Sequence, residues 1–179
     1  MLHDPIVNQP AIEADRFDLR PLRASDAGLI EFYASDERVA KATTSIPHPL
    51  PPGTIEAFVA RACDDANDEY VWAMDGTKAG GPELMGVISL DRMDCNQCEI
   101  GYWVAPAYWN SGVASSAVAA LIGANPLECR TFFATVFQDN AASARVLTNN
   151  GFQYLGDAES FSVARNAKVA TWTYSLKMD

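Results

Sequence analysis

The stretch EIGYWVAPAYWNSGVASSAVAAL, residues 99–121, decides the fold, because it predicts a strand, a turn with one glycine, and a helix. Alternation in the strand, residues 98–105, places Glu99 on the same sheet face as Gly101 and Trp103. An acidic side chain inside an otherwise apolar strand is unusual. It is either an exposed or salt-bridged carboxylate, or a general base whose pKa is tuned by its surroundings.

The turn contains Asn110, Ser111 and Gly112, which favour exposed backbone. Beyond it, apolar and small side chains recur at the spacing of one helix face, at Ala114, Ala117, Val118 and Leu121. The first amides of a helix have no partner within the helix and lie at the positive end of its dipole, so a phosphate is favoured there. The pattern predicts a site for a phosphate-bearing ligand, although an ordinary turn explains one glycine equally well.

Working outward from this stretch, the chain alternates between strand and helix patterns. The predicted order is strand, helix, helix, three strands, helix, strand, helix and two strands, which is a mixed α+β fold. The predicted strands cover residues 16–22, 69–75, 83–93, 98–105, 130–137, 152–161 and 169–179. The strands 98–105 and 130–137 are joined through a helix, so we expect them to be parallel. A proline-rich loop occupies residues 43–53.

Composition excludes several classes of protein. With 179 residues and 49% hydrophobic content, the chain is long enough for one globular domain. Its formal net charge of -10 disfavours binding to a nucleic-acid backbone. It shows no apolar run long enough for a membrane span and no secretory signal, so we expect a cytoplasmic protein without a membrane partner.

Four cysteines are present, and Cys95 and Cys98 form a C-x-x-C pair. Neither a second such pair nor a paired histidine motif completes a zinc site, so no metal is predicted. A redox pair is normally at a helix start, whereas this pair leads into a strand. Free thiols in a hairpin, in a reducing compartment, are the alternative.

A second motif, DNAAS, places Asn140 three residues before Ser143, where capping of the following helix is the simplest interpretation. Together the motifs resemble the GNAT superfamily of acetyl-CoA-dependent N-acetyltransferases, in the branch of the ribosomal-protein acetyltransferases RimJ and RimL. The resemblance is carried by RFDLRPLRASDA (16–27), EIGYWVAPAYWNSGVASSAVAAL (99–121) and VFQDNAASARVLTNNGF (136–152).

The resemblance implies a GNAT fold over residues 16–179, after an N-terminal extension over residues 1–15. In that fold a twisted, mostly antiparallel sheet of about seven strands is flanked by about four helices, and two central parallel strands splay apart. It implies binding of the coenzyme A diphosphate by turn amides and of its pantetheine arm by strand backbone and an asparagine. The cofactor-binding residues implied are Tyr102, Trp103, Val104, Trp109, Asn110, Ser111, Gly112, Val113, Ala114 and Asn140. The turn departs from its branch at Ser111, where a lysine is usual.

As chemistry, transfer to an amine requires a neutral nitrogen, so we expect Glu99 to accept a proton directly or through one water. A backbone N–H beside Val104 is the expected oxyanion donor. Ser143 is the expected hydrogen-bond donor to the leaving thiolate, with Tyr102 or Tyr108 as less favoured substitutes.

The acceptor is expected between the loop 43–53 and the final strand pair. It would be a small-molecule or peptide amine, with a monomer or a homodimer left open. His48 either touches that acceptor or is solvated. The alternative function is a non-catalytic acyl-CoA-binding regulator.

Overall fold

The computed structural model describes residues 9–64 and 68–179, in which eight strands form one sheet and five α-helices pack on it. The strands are β1 Ile12–Glu13, β2 Asp18–Pro21, β3 Glu69–Asp75, β4 Gly86–Arg92, β5 Gln97–Val104, β6 Thr131–Phe137, β7 Gln153–Ser162 and β8 Ala167–Lys177. The helices are α1 Ala27–Ala34, α2 Glu37–Ala42, α3 Thr54–Ala62, α4 Val113–Ala124 and α5 Ala141–Asn149.

The strand order is β1-β2-β3-β4-β5-β6-β8-β7, and every neighbouring pair is antiparallel except β5 and β6. These two strands pair only at their beginnings, where Gln97–Glu99 lie opposite Thr131–Phe133. Beyond that point they have no further paired residues, although β5 continues to Val104 and β6 to Phe137. A V-shaped gap therefore opens in the middle of the sheet, and the expected parallel, splayed pair is confirmed.

Each face of the sheet has its own hydrophobic core. One core packs α4 and α5 against the side chains of Ile100, Val104 and Phe132. The other packs α1 and α3 against Val71 and Val87, with Trp103 partly buried beside them. The alternation predicted for β5 is thus confirmed: its odd and even residues lie on opposite faces.

The mixed α+β fold is as predicted, with eight strands instead of about seven and five helices instead of about four. The additional strand, β1, lies within residues 1–15, which the sequence predicted as an N-terminal extension. It pairs with β2. The additional helix, α2, has six residues, and Asp36 caps it by accepting a hydrogen bond from the amide of Arg38. Its six residues, half of them charged, are too few to show a clear period, which is why the pattern did not predict it. No helix in the described ranges has the length and apolarity that a bilayer span requires.

The cysteines differ from the sequence expectation. Cys98 forms a disulfide with Cys129, and both are buried at the start of the parallel pair. Cys95 is free and exposed in the β4–β5 turn, as is Cys63 elsewhere. The interpretation of Cys98 as a free thiol is therefore wrong, and the argument for a reducing compartment loses that support. Spacing along the chain does not show that the loop before β6 returns to the start of β5.

Candidate active site

Two cavities meet at the gap between β5 and β6, one on each side. The first, of about 710 Å³, is lined by Glu69, Asp91 and Glu99, and we call it the acidic cavity. The second, of about 690 Å³, is lined by the turn over residues 108–112, and we call it the turn cavity. They share the wall residues Ala42, Ile100, Gly101, Tyr102, Trp103, Thr135 and Val136. Volumes of this size are typical of small-molecule sites.

In the turn cavity, the backbone before α4 is held in a left-handed conformation at two residues. Asn110 has φ 59° and Gly112 has φ 80°, which glycine adopts without strain. Gly112 is the N-cap of α4 and provides no side-chain cap, and the first bond back to it comes from the amide of Ser116 at 3.0 Å. A Cβ added to Gly112 would meet no atom within 4 Å, so the approach to the first helical amides is open. This is the geometry of an anion site.

Side chains of the same turn fix its conformation. The indole Nε1 of Trp109 donates to the carbonyl of Val104 at 2.7 Å, joining the turn to the end of β5. The hydroxyl of Ser111 donates to the carbonyl of Tyr108. The guanidinium of Arg38 lies 5.5 Å from the centre of the Trp109 ring. The side chains of Trp109 and Ser111 and the left-handed backbone of Asn110 therefore shape the turn.

Four cationic side chains line the turn cavity, which is notable in a chain with 13 Lys and Arg and a net charge of -10. They are Arg38, Lys41, Arg145 and Arg165. The sequence analysis missed them because they come from α2, α5 and the β7–β8 turn, which meet only in the folded chain. Each carries a charge that complements phosphate.

Arg165 also holds the walls of the turn cavity together. Its guanidinium pairs with Asp139 at 2.6 Å and donates to the carbonyl of Lys41 at 2.8 Å. It also lies 4.9 Å from the centre of the Phe137 ring. One side chain from the β7–β8 turn thus links α2 to the end of β6.

The DNAAS motif lies across the turn cavity from the glycine turn. Asn140 Oδ1 accepts a hydrogen bond from the amide of Ser143 at 3.2 Å, so the capping interpretation is confirmed. The hydroxyl of Tyr102 lies 2.8 Å from Ser143 Oγ and donates to the Ser143 carbonyl at 3.2 Å. Burial raises the pKa of Tyr102 to about 12, so its hydroxyl stays protonated at neutral pH and acts as a fixed neutral donor. Asn150, at the end of α5, donates to the carbonyl of Val146 at 2.8 Å and reaches Ser115 Oγ at 3.2 Å, which ties α5 to the start of α4.

The acidic cavity contains a row of three carboxylates on adjacent strands. Glu69 of β3 lies opposite Asp91 of β4, and Asp91 lies opposite Glu99 of β5. Burial raises the pKa of the Glu99 carboxyl, and the neighbouring Asp91 carboxylate raises it further. Burial likewise raises the pKa of Glu69, which Asp91 raises further, and the pKa of Asp91, which Asp68 raises further. Glu99 therefore has the raised pKa and the access to a cavity that a general base requires.

The other walls of the acidic cavity come from three distant parts of the chain. Thr43–Pro47 and Leu50 of the proline-rich loop form one side, and Ser160 and Phe161 of β7 form another. Thr171 of β8 contributes a buried hydroxyl that has no hydrogen-bond partner within the described residues. The cavity thus lies between the loop 43–53 and the final strand pair, where the acceptor was expected. His48 is exposed and is not one of the lining residues.

Comparisons with known proteins identify the family and the fold of this chain. The family description "Acetyltransferase (GNAT) domain" matches residues 16–153. The Bacillus subtilis (strain 168) protein named "Uncharacterized N-acetyltransferase YoaA" is 28% identical over 176 residues, covering 93% of this chain and 96% of that protein.

Two solved structures illustrate the similarity of fold. The structure of RimL, a ribosomal L7/L12 alpha-N-protein acetyltransferase in complex with coenzyme A, superposes with a TM-score of 0.80 at 17% identity, over 95% of this chain and 99% of that one. The microcin C7 self-immunity acetyltransferase MccE, in complex with acetyl-CoA and AMP, gives a TM-score of 0.78 at 16% identity, over 92% of this chain and 93% of that one.

The family match defines an acyltransferase that uses a coenzyme A thioester, and the split sheet is the fold of that class. This chain belongs to the GNAT acetyltransferase family, the acetyl-CoA-dependent N-acetyltransferases, as the match over residues 16–153 shows. Within the described ranges, no group of three or more His, Cys, Asp or Glu residues is arranged to hold a metal ion.

Proposed function

We propose that the turn cavity binds acetyl-CoA and that the acidic cavity holds the acceptor, a primary amine. The observation that carries this proposal is that the two cavities meet at the β5–β6 gap, with open helix amides on one side and Glu99 on the other. The diphosphate is assigned to the amides of Val113 and Ala114 beyond Gly112. Backbone groups from Tyr102 to Val104, together with Asn140, are assigned to the pantetheine arm.

Charge supports this assignment of the two ligands. Coenzyme A carries several phosphate charges, and Arg38, Lys41, Arg145 and Arg165 line the cavity where it is assigned. Cationic groups pair with phosphate through charge-assisted hydrogen bonds, which are stronger than neutral ones. They supply positive charge near a turn in which Ser111 stands where the RimJ/RimL branch usually has a lysine.

In the proposed reaction, Glu99 accepts the proton that the ammonium group must lose, directly or through one water. The amine nitrogen then forms a bond to the thioester carbonyl carbon, and the negative charge that develops on oxygen is stabilised by a backbone N–H beside Val104. The nitrogen of this intermediate loses its second proton to solvent, and collapse breaks the carbon–sulfur bond, giving a neutral amide and a thiolate. Part of the rate comes from holding the two reactants on opposite sides of one gap.

Stabilisation of the thiolate is assigned to the pair formed by Ser143 and Tyr102. When the Tyr102 hydroxyl donates to Ser143 Oγ, the Ser143 proton is available to point toward the sulfur. Ser143 is a poor acid by itself, so we assign it a hydrogen bond to the thiolate while solvent completes the proton transfer. Tyr102 is then a positioning residue that orients Ser143.

Thiol release from acetyl-CoA, measured with a panel of amines and free-amino-terminus peptides, tests the proposed function. Turnover that Glu99→Gln reduces, with unchanged acetyl-CoA binding by calorimetry, supports it. Thermal stabilisation by acetyl-CoA without turnover of any amine would instead support the non-catalytic regulator. Absence of both turnover and binding would refute both assignments.

A further inference from the structure

The segment that runs from α2 into the proline-rich loop crosses the point where the two cavities meet. We call this segment, residues 37–47, the strap. Residues of its first half line the turn cavity and residues of its second half line the acidic cavity, with Ala42 in both walls. The position of the strap therefore affects the cavity assigned to the amine as well as the cavity assigned to acetyl-CoA.

Two carbonyl groups of the strap accept hydrogen bonds from the turn between β7 and β8. The carbonyl of Lys41 accepts from two guanidinium nitrogens of Arg165, from Nε at 3.1 Å and from Nη2 at 2.8 Å. The carbonyl of Thr44 accepts from the amide of Val163 at 3.0 Å. Because Lys41 and Thr44 lie on either side of Ala42, the strap is tied down around the point where the cavities meet.

Arg165 is itself held in place by its own turn and by the end of β6. Its amide donates to the hydroxyl of the buried Ser162 at 3.2 Å. Its guanidinium also pairs with Asp139 at 2.6 Å and 3.2 Å and lies 4.9 Å from the centre of the Phe137 ring. A planar guanidinium bonds a carbonyl and a carboxylate at the same time, whereas a lysine offers a single nitrogen. Arg165 thus fixes the strap relative to one arm of the β5–β6 gap.

The two cations that α2 contributes to the turn cavity pair locally. Arg38 pairs with Asp36 and Lys41 pairs with Glu37, so each ion pair lies within α2 or at its N-cap. Arg165 instead joins segments that are 124 and 26 residues away in the chain. Phosphate binding requires positive charge, but it does not require a guanidinium that ties two walls together. The bonds of Arg165 therefore indicate a role beyond the charge of the turn cavity.

Building on the proposed function, we infer that Arg165 is a positioning residue for the acceptor amine. By holding the strap against the end of β6, it keeps the wall formed by residues 43–47 in place within the cavity that contains Glu99. The amine is thereby held where Glu99 can accept its proton. Arg165 lines the turn cavity and not the acidic cavity, so it acts on the acceptor through the strap.

Arg165→Lys tests this role, because it keeps the positive charge of the turn cavity and removes the planar fork. The acceptor is the amine of the thiol-release panel that the unmodified protein acetylates fastest. We expect its KM to rise about tenfold, while kcat and the Kd for acetyl-CoA change by less than about twofold. A loss of phosphate charge would instead raise the Kd for acetyl-CoA and leave the amine KM unchanged.

The chain offers a matched control for the loss of such a tie. Lys78 also joins a carbonyl and a carboxylate of a distant segment, those of Ala14 and Asp18, and it lines neither cavity. Arg165→Gln should raise the amine KM at least as much as Arg165→Lys does, whereas Lys78→Gln should leave it unchanged. Equal increases in the two glutamine variants would show a general loss of rigidity and would refute the inference.

Two measurements keep this test separate from that of the proposed function. Hydrogen exchange of the amides of residues 38–47 reports on the strap without any acceptor, and we expect it to be faster in Arg165→Lys. Calorimetry with coenzyme A-loaded protein reports on amine binding without turnover. If no amine is acetylated but amine binding still weakens in Arg165→Lys, the inference stands and the proposed function alone fails. Faster exchange of the strap with an unchanged amine KM refutes the inference and leaves the proposed function standing.

Discussion

The two cavities that meet at the β5–β6 gap have opposite charge. Among the described residues, the turn cavity has four of the chain's 13 basic residues and one aspartate in its walls, whereas the acidic cavity has three carboxylates and one arginine. The net charge of the whole chain, -10, therefore does not predict the local charge of either cavity. Local charge, set by which strands and helices meet, indicates an anionic ligand on one side of the sheet and a cationic ligand on the other.

The largest expected effect is a loss of turnover from a change in the acidic cavity that leaves acetyl-CoA binding in the turn cavity intact. Glu99→Gln removes the base but leaves the turn cavity unchanged, so we expect kcat to fall about 10²- to 10⁴-fold with an unchanged Kd for acetyl-CoA. Steady-state kinetics and calorimetry on the same preparation check both values. Weaker acetyl-CoA binding in this variant would show that the two cavities do not act independently.

The converse variant acts on the turn cavity. Gly112→Ala places a Cβ at a residue with φ 80°, which costs about 1–2 kcal/mol of conformational strain. We expect relief of this strain to displace the turn and, with it, the first amides of α4. We expect acetyl-CoA binding to weaken by about tenfold or more, measured by calorimetry. Gly123→Ala, at an ordinary position of the same helix, is the control and should stabilise the fold slightly. Equal acetyl-CoA affinities in the two variants would contradict the assigned anion site.

An intermediate effect is expected at the wall that the cavities share. Ser143→Ala removes the donor assigned to the thiolate, and we expect kcat to fall about tenfold, the worth of one hydrogen bond. Tyr102→Phe should cost less, because it removes only the group that orients Ser143. The double variant should be no slower than Ser143→Ala alone, since the two residues act as one unit. Additive losses would assign Tyr102 a separate role.

The smallest effect is a shift of the pH profile. The pKa of Glu99 is raised by burial and by Asp91, so activity is lost as pH falls through that raised pKa. Asp91→Asn removes the neighbouring negative charge and lowers the pKa of Glu99, so the acidic limb of the kcat/KM profile moves to lower pH. The measurement uses a primary amine with a single charge, so that the loss of the Asp91 charge acts through Glu99. A limb that stays in place or moves upward would show that Glu99 is not the group that titrates.

Local sequence was sufficient for the parts of the site that lie within one segment. The glycine turn, the start of α4 and the capping of α5 by Asn140 each depend on neighbours a few residues away, and the patterns predicted them. The position of Glu99 among apolar neighbours also identified it before the fold was known.

The sequence did not predict the site residues that depend on strand register or on contacts between distant segments of the chain. Glu69 and Asp91 become neighbours of Glu99 only because the two hairpins set matching positions on β3, β4 and β5. A shift of one residue would turn either side chain to the opposite face. Arg38 and Arg165 reach the turn cavity from segments more than a hundred residues apart in the chain.

The disulfide between Cys98 and Cys129 lies where β5 and β6 are still paired, with their Cα atoms 6.1 Å apart. It is a covalent link between the two strands at the closed end of the gap. Because the bond joins the strands beside Glu99, we expect any change in their separation to be smallest there and largest at the far ends, near Val104 and Phe137.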